Sequence, residues 1–561
     1  MPETIFIGVA WPYANSSLHL GHAAGSFLPA DIFARYHRMK GNRVLMVSGS
    51  DQHGTPITVR AEEEGVSPQA IIDRYQTEFL NCFQRLGISF DLFTGTATDN
   101  HRRVVQDMFL RLLKRGYIYK KTTSLPYSTV DKRFLPDRYV EGTCPFCGYE
   151  SARGDQCDNC GKPMDPKDLK NIRSRIHGDT PEFRDSEHFF IKLTAFEEPL
   201  RKWVAQQTHW RPNVRNFTMQ YLKDGLIDRA ATRDIDWGVP WPQPGYESKR
   251  IYVWFEAVIG YLSASKEWAQ RRGQPDAWKD FWHGDVKPYY FMGKDNIPFH
   301  TIIWPAMLMG YNDGLKLPYD VAANEFLNLA GMKFSKSRNW AVWLPDYLDR
   351  FQPDPLRYVL SINMPETADT DFTWQEFLRR NNDELVATYG NLVNRVLSFT
   401  YRSCNGRIPE HDPEASLGET SRRLIAETER TLVEVDKAIA GCHFKDGIRA
   451  AMALAQQANR YLEEQSPWKT IKTDERAAHN ALWTGACVIA GLKTMLYPYM
   501  PFSSQKVHEY LGYTGDVGHA GWTFERPKAG QALQKAEPLF VKLDEKAVTE
   551  EMSGLVKQGA S

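Results

Sequence analysis

The sequence predicts an α/β protein, a doubly wound parallel sheet split by an insertion and followed by an all-α helix bundle. Three observations carry this prediction. Apolar strand-like runs alternate with helical patterns and exit into glycine-rich turns; a stretch rich in cysteine, proline and turns interrupts that alternation; and the last third of the chain keeps a helical period.

Taken in order, residues 4–10 read as a buried strand, Pro12 to Ser17 as a polar loop, and Leu18 through Lys40 as a helix. A second apolar run, Val44-Leu45-Met46-Val47, leads into Gly49-Ser50-Asp51-Gln52-His53-Gly54-Thr55-Pro56. This is the βαβ pattern of a Rossmann-type sheet, whose ligands sit beyond the carboxyl ends of the strands. Over 116–225 the helical period gives way to turns, which marks an insertion. The α/β pattern resumes with Ile251-Tyr252-Val253-Trp254, a helix from about Glu256, and Tyr289-Tyr290-Phe291-Met292-Gly293-Lys294-Asp295. From about residue 379 the chain reads as wholly helical: Leu385, Tyr389, Leu392, Val396 and Phe399 form one apolar stripe, and Ile448, Met452 and Ala455 begin another. The expected division is 1–115 and 226–325 for the two halves of the sheet domain, 116–225 for the insertion, 326–378 for a connecting region, 379–540 for the helical domain, and 541–561 for a charged, loosely ordered tail.

Composition narrows the function. The 561 residues suit three or four domains, and 69 basic residues balance 69 acidic ones, so any nucleic-acid contact is local and selective. No run approaches the ~18 apolar residues of a membrane span. The N-terminus lacks the basic region and cleavage site of a secretory leader, so a cytoplasmic location is expected. Four of the eight cysteines, Cys82, Cys404, Cys442 and Cys487, are scattered and read as reduced thiols. The other four form two knuckles, Cys144-x2-Cys147 and Cys157-x2-Cys160, followed by Gly148 and Gly161. Four thiolates at this spacing close a tetrahedral Zn²⁺ site with no open position, which makes the metal structural.

Two strings carry the chemistry. His19-Leu20-Gly21-His22 and Lys333-Phe334-Ser335-Lys336-Ser337 each set small residues beside groups that can be cationic. Gly21 lets a base or ribose approach the backbone. His19 and His22 can donate to phosphate from a helix start, and Lys333 and Lys336 can follow charge building on a leaving pyrophosphate.

In this order the two strings resemble the paired motifs of class I aminoacyl-tRNA synthetases. Pro12-Tyr13-Ala14-Asn15, Gly142-Thr143-Cys144-Pro145, Arg184-Asp185-Ser186-Glu187-His188-Phe189-Phe190 and Tyr252-Val253-Trp254-Phe255-Glu256-Ala257 with Ile259-Gly260-Tyr261 narrow the resemblance to the methionyl family, through about residue 530. It implies ATP-dependent activation of L-methionine to methionyl-adenylate, with Mg²⁺ accompanying ATP, and transfer to the 3′ end of tRNA(Met) for translation initiation and elongation. His19, Gly21, His22 and Lys336 would then contact ATP, with Lys333 beside them. Asp51 would take the α-ammonium, and Ala10, Trp11, Tyr13, Trp254, Ala257, Tyr261 and His300 would line a soft, aromatic pocket. Asn391 and Arg395, on one helix face, and Trp468 would read the anticodon. Three positions depart from the family pattern: Trp11 for leucine, Asn296 for isoleucine and Phe334 for methionine. Relatives that dimerise carry an appended C-terminal domain, so a monomer is expected. The competing readings are a synthetase for isoleucine, valine or leucine, which would need a large editing insertion, and a catalytically idle RNA-binding relative, which would not need both charged motifs.

Overall fold

The computed structural model describes residues 2–559 except 136–138, 155, 156, 158, 161, 163 and 335–339. Gly161 and the Ser335-Lys336-Ser337 part of the second motif therefore lie outside the described residues.

Five parallel strands form the central sheet: β1 (Thr4–Val9), β2 (Arg43–Ser50), β3 (Leu92–Gly95), β4 (Val286–Gly293) and β5 (Asp320–Asn324). Their order is β5-β4-β1-β2-β3, with Thr4 opposite Val286 on one side and Arg43 on the other. The winding reverses between β1 and β4, and a crevice opens beyond their carboxyl ends at such a switch point. β1 is apolar at nearly every position because both its faces are covered. Ile5, Ile7 and Val9 enter the core that runs on into the helical domain, whereas Phe6 enters the core beneath the opposite helices.

The helix after β1 is capped by His19 and runs through Leu20–His22, a π-helical turn Ala23–Phe27 and α1 (Leu28–Met39). The helix after the resumed α/β pattern, α2 (Val253–Arg271), begins three residues before the expected Glu256, because the strand there is only Lys249–Ile251. Trp254 is therefore a first-turn helical residue. Between the halves of the sheet, the insertion is built on a long antiparallel pair, Ile118–Ser128 with Glu182–Ile191, and a small sheet of Val140–Thr143, Ala152–Arg153 and Lys170–Ser174.

The C-terminal part packs α3 (Asn391–Ser403), α4 (Glu419–Ala440), α5 (Phe444–Gln465) and α6 (Glu475–Leu496). Two expectations are corrected here. The region is not wholly helical: between Tyr510 and Glu545 the chain is irregular, with several turns and one 3₁₀ turn, Val517–His519. That stretch is held by packing, with Trp522 donating its backbone N–H to Met39 of α1 at 3.0 Å and Leu539 and Phe540 buried. The tail, expected to lack regular structure, contains a helix. Glu545–Gly559 is a helix that buries Val548 and pairs Glu551 with Arg350.

Candidate active site

The His19–His22 turn lies just beyond the end of β1. His19 adopts an extended conformation and caps the helix: its Nδ1 accepts the Gly21 N–H at 3.1 Å, while the Nδ1 of His22 accepts the His19 N–H at 3.0 Å. Both Nδ1 atoms act as acceptors, so in the neutral rings each proton resides on Nε2, and each histidine presents an N–H donor away from the backbone. The rings lie 3.8 Å apart by centroid. A methyl group on Gly21 would come within 2.9 Å of the His19 ring, so this position requires glycine.

The second motif arrives from a small hairpin, Leu327–Leu329 against Met332–Lys333. Phe334 stacks on His19 with centroids 4.7 Å apart and planes within 7°. Backbone bonds from Leu20 to Val342 (3.2 Å) and from Leu344 to Leu18 (2.7 Å) fasten the chain beyond the loop to the same turn. The structure thus joins the two strings into one site. Lys333 is exposed with its Nζ 5.0 Å from the centre of the Phe326 ring; Lys336 lies outside the described residues. The departure at Phe334 acquires a physical role, because a phenyl ring provides a flat partner for imidazole.

The residues expected to line an amino-acid pocket gather beyond the same strand ends. Asp51 follows β2 and is tied to the loop after β1 by backbone bonds from Asp51 to Pro12 (2.7 Å) and from Ala14 to Asp51 (2.9 Å). Its carboxyl is buried and accepts the Tyr13 hydroxyl, which in turn accepts the Trp254 indole N–H at 2.7 Å. Trp254, Ala257 and Tyr261, at spacings of three and four, share one face of α2. Tyr261 donates its hydroxyl to Nε2 of His300 at 2.7 Å, and Nδ1 of His300 donates to the Asn296 carbonyl at 2.8 Å. Burial pushes His300 down to about 4, so it stays neutral. Asn296, one of the departures from the family pattern, contributes its backbone carbonyl here. Ala10 is fixed by its N–H to Phe291 of β4 at 2.9 Å. Trp11 occupies a slot between two glycines: a Cβ on Gly49 would lie 2.5 Å from its ring and one on Gly260 2.7 Å.

Burial, and then the nearby Glu256 charge, push Asp51 well above the usual carboxylate range. Glu256 is fully buried, and burial alone would raise it as well, yet His53 (Nδ1 to Oε1, 2.5 Å) and His101 (Nε2 to Oε1, 3.3 Å) hold it at about 2. The site therefore keeps one carboxylate paired with imidazoles and another with no cation against it, an arrangement with room electrostatically for a positively charged group. Sequence reasoning did not single out this His53–His101–Glu256 cluster. Its members come from three distant segments, and only the buried acidic residue in the first turn of α2 hinted at it.

In the helical domain, the Arg395 guanidinium lies 4.2 Å from the centre of the Trp468 ring, and Asn391 sits one turn away on α3. In the insertion, the Sγ atoms of Cys144, Cys147, Cys157 and Cys160 all lie within 4.8 Å of one another. The Cys144–Cys160 and Cys147–Cys157 separations are 3.9 and 3.6 Å. These are too long for disulfides and close to the ~3.8 Å edge of a tetrahedron with Zn–S bonds of ~2.3 Å. A backbone N–H and the Asn159 amide lower the Cys147 thiol to about 6, while burial raises Cys157 to about 12. The four sulfurs fit a divalent metal. Among the described residues no helix is long and apolar enough to cross a membrane.

A family model for tRNA synthetases class I (M) matches residues 5–397, and one for the anticodon binding domain of methionyl tRNA ligase matches residues 411–554. The methionine–tRNA ligase of Dehalococcoides mccartyi strain CBDB1 is 59% identical over 551 residues, which span 98% of this chain and 99% of that one. That of Roseiflexus castenholzii is 52% identical over 591 residues, 99% of each chain. Mycobacterium tuberculosis methionyl-tRNA synthetase in complex with methionyl-adenylate has the same architecture, with a TM-score of 0.80 at 25% identity over 96% of this chain and 99% of that one. A switch-point crevice closed by the capped histidine turn and the lysine hairpin, under these matches, defines a class I tRNA synthetase. Within that class the chain belongs to the methionyl-tRNA synthetase family.

Proposed function

We propose that this enzyme activates methionine with ATP to methionyl-adenylate, releasing pyrophosphate, and transfers the methionyl group to the 3′ end of tRNA(Met). The observation that carries the reading is the joining of the two charged motifs at the switch point, beside a buried carboxylate that lacks a cation. His19 and His22 would direct their Nε2–H donors at the triphosphate, with Gly21 beneath the nucleoside. Lys333 and Lys336 would meet charge on the departing pyrophosphate, each charged hydrogen bond contributing about 1.5–3 kcal/mol. Attack on the α-phosphate is a matter of positioning and charge stabilisation, so no further nucleophile is required from the protein. Asp51 would hold the α-ammonium, while Tyr13, Trp254, Ala257, Tyr261 and His300 enclose the thioether beside Ala10 and Trp11. Mg²⁺ arriving with ATP would neutralise phosphate charge, and Zn²⁺ held by Cys144, Cys147, Cys157 and Cys160 would fix the shape of the insertion.

The helical domain would select the RNA by stacking an anticodon base near Trp468 and Arg395, with Asn391 reading its edge. With this reading goes the division of labour among 1–115 and 226–325 for catalysis, 116–225 and 326–378 for connection, and 379–540 for anticodon binding. The reduced cysteines fit a reaction in the cytoplasm, where tRNA is charged.

Pyrophosphate exchange measured with methionine, isoleucine, valine and leucine in turn tests the reading. Exchange with methionine alone is expected. Exchange with a branched aliphatic residue instead, or with none of them, overturns it.

A further inference from the structure

Arg211 is a buried cation outside the site described above, and four segments of the chain meet on it. It precedes the helix Pro212–Lys223 of the insertion and is 7% exposed. Its Nη1 donates to the Ala323 carbonyl (3.2 Å), to Asn324 Oδ1 (2.8 Å) at the end of β5, and to the Glu366 carbonyl (3.3 Å); its Nη2 donates to the Cys442 carbonyl (2.6 Å). None of these acceptors is a carboxylate. Its hydrogen bonds all go to neutral acceptors, although the buried Asp320 and Glu366 carboxylates also lie within its field, so the fork serves as a geometric joint whose spread of donors a lysine could not reproduce.

Both sides of the joint lead somewhere. Asn324, completely buried, donates its Nδ2–H to the Ala24 carbonyl at 2.9 Å, two residues after His22 and within the π-helical turn that continues from the histidine cap. On the far side, Cys442 closes the turn between α4 and α5. It has φ of 57°, a left-handed conformation that a non-glycine residue keeps only when its surroundings enforce it. The next elements are clamped as well: Glu366 Oε1 accepts the Lys445 N–H at 2.9 Å, and the Tyr499 hydroxyl donates to the Phe444 carbonyl at 2.9 Å. From there α5 runs for 22 residues as one rod to Ser466-Pro467-Trp468. Its length is about 33 Å at ~1.5 Å per residue. One end of a single helix thus leads directly into the short helix that carries Trp468, and the other is wired through Arg211 and Asn324 to the turn that bears the catalytic histidines.

We propose that Arg211 is a positioning residue through which the helical domain sets the geometry of the His19–His22 turn, so that RNA held at the Trp468 end of α5 changes the rate at the reaction centre. This rests on the functional reading above. It differs from mere structural support in predicting an energetic coupling between residues that do not touch.

A double-mutant cycle on the full chain tests it, with Arg211→Lys, Trp468→Ala and the double variant assayed for kcat and KM in aminoacylation of tRNA(Met), methionine-dependent pyrophosphate exchange and melting temperature. Trp468→Ala is expected to lower kcat/KM for aminoacylation about tenfold to a hundredfold, with part of the loss in kcat. Arg211→Lys should lower kcat about tenfold without raising KM for tRNA. In the Arg211→Lys background, the kcat effect of Trp468→Ala should largely vanish. Asn324→Ser breaks the same path one step closer to the histidines and should abolish the same kcat effect. It decides the matter if Arg211→Lys does not fold. Strictly additive losses in kcat overturn the coupling while leaving the enzyme a methionine-activating one. No effect of Trp468→Ala on aminoacylation overturns the anticodon reading and the coupling together, whereas absence of methionine-dependent exchange in the unaltered protein overturns the functional reading itself.

Discussion

Asp51 stands where a carboxylate is least easily ionised, fully buried and within the field of Glu256, and its pKa lies well above the ordinary 3.8. A substrate ammonium would remove that penalty. Asp51→Asn is therefore expected to raise KM for methionine about 10- to 100-fold, the worth of a charged hydrogen bond of about 1.5–3 kcal/mol. The sign of the pH dependence follows from the raised folded-state pKa. The ligand-free protein loses stability as pH rises through that pKa, and the gain in Tm on adding methionine grows over the same interval. Differential scanning calorimetry across this range checks the trend; a methionine shift that is flat with pH, or identical in Asp51→Asn, counts against the assignment. The sequence placed Asp51 at the end of a strand, but not beside Glu256, His53 and His101. His53 is a near neighbour in sequence, but Glu256 and His101 are separated from it by long stretches of chain, and only packing of α2 across the sheet brings them together.

At the scale of elements, the knuckles were readable from spacing alone, because a tetrahedral metal constrains cysteines that are close in sequence. Cys144 and Cys157 sit in a small apolar cluster with Leu135, Tyr139, Val140, Ala152, Met164 and Leu169. A core this small is expected to depend on a bound metal to stay folded. Purified protein is expected to contain about one zinc per chain, with Cys144→Ser losing it, as atomic absorption would show. The knuckles also rest on the active-site half: the Tyr139 hydroxyl donates to Thr58 Oγ1 at 2.8 Å on the helix that follows Asp51. The Trp11 slot was not readable. Gly49 looked like a turn residue, yet it lies in a strand and its missing side chain is the space that the indole fills. Gly49→Ala would place a Cβ 2.5 Å from Trp11 and 2.8 Å from the Thr94 carbonyl, and the latter is backbone that cannot swing away. A loss of about 1–3 kcal/mol in chemical denaturation is expected, together with weaker methionine binding.

Across the whole molecule, the sheet domain and the helical domain are joined by buried charge as well as by apolar contact. Arg357, fully buried, pairs with Asp31 of α1 at 2.7 Å and donates to the Tyr499 carbonyl (2.7 Å), the Pro498 carbonyl (2.8 Å) and the Leu86 carbonyl (3.2 Å). Burial alone would raise Asp31, but Arg35 and Arg357 hold it at about 2. Its stabilising contribution is therefore present above the ordinary 3.8 and is lost as pH falls toward 2. Arg357→Ala removes one of the two guanidinium groups that hold that carboxylate and leaves the Tyr499, Pro498 and Leu86 carbonyls without this donor, and is expected to cost about 3–5 kcal/mol, with earlier melting in a thermal scan and a weakened acid limb. By itself the sequence determined the alternation of strands and helices, the cysteine knuckles and the two charged motifs, because periodicity, ligand spacing and glycine-rich turns act over a few residues. The helix Glu545–Gly559 was not legible in the sequence, since it is held by its partners Arg350 and the Trp374–Arg379 helix rather than by a strong apolar stripe of its own. Only the tertiary structure decided that Phe334 lies on His19, that Trp11 fits between two glycines, and that Arg211 ties the helical domain to the histidine turn. Each of these depends on side chains from distant segments competing for the same few ångströms, and that competition is settled by packing the whole chain at once.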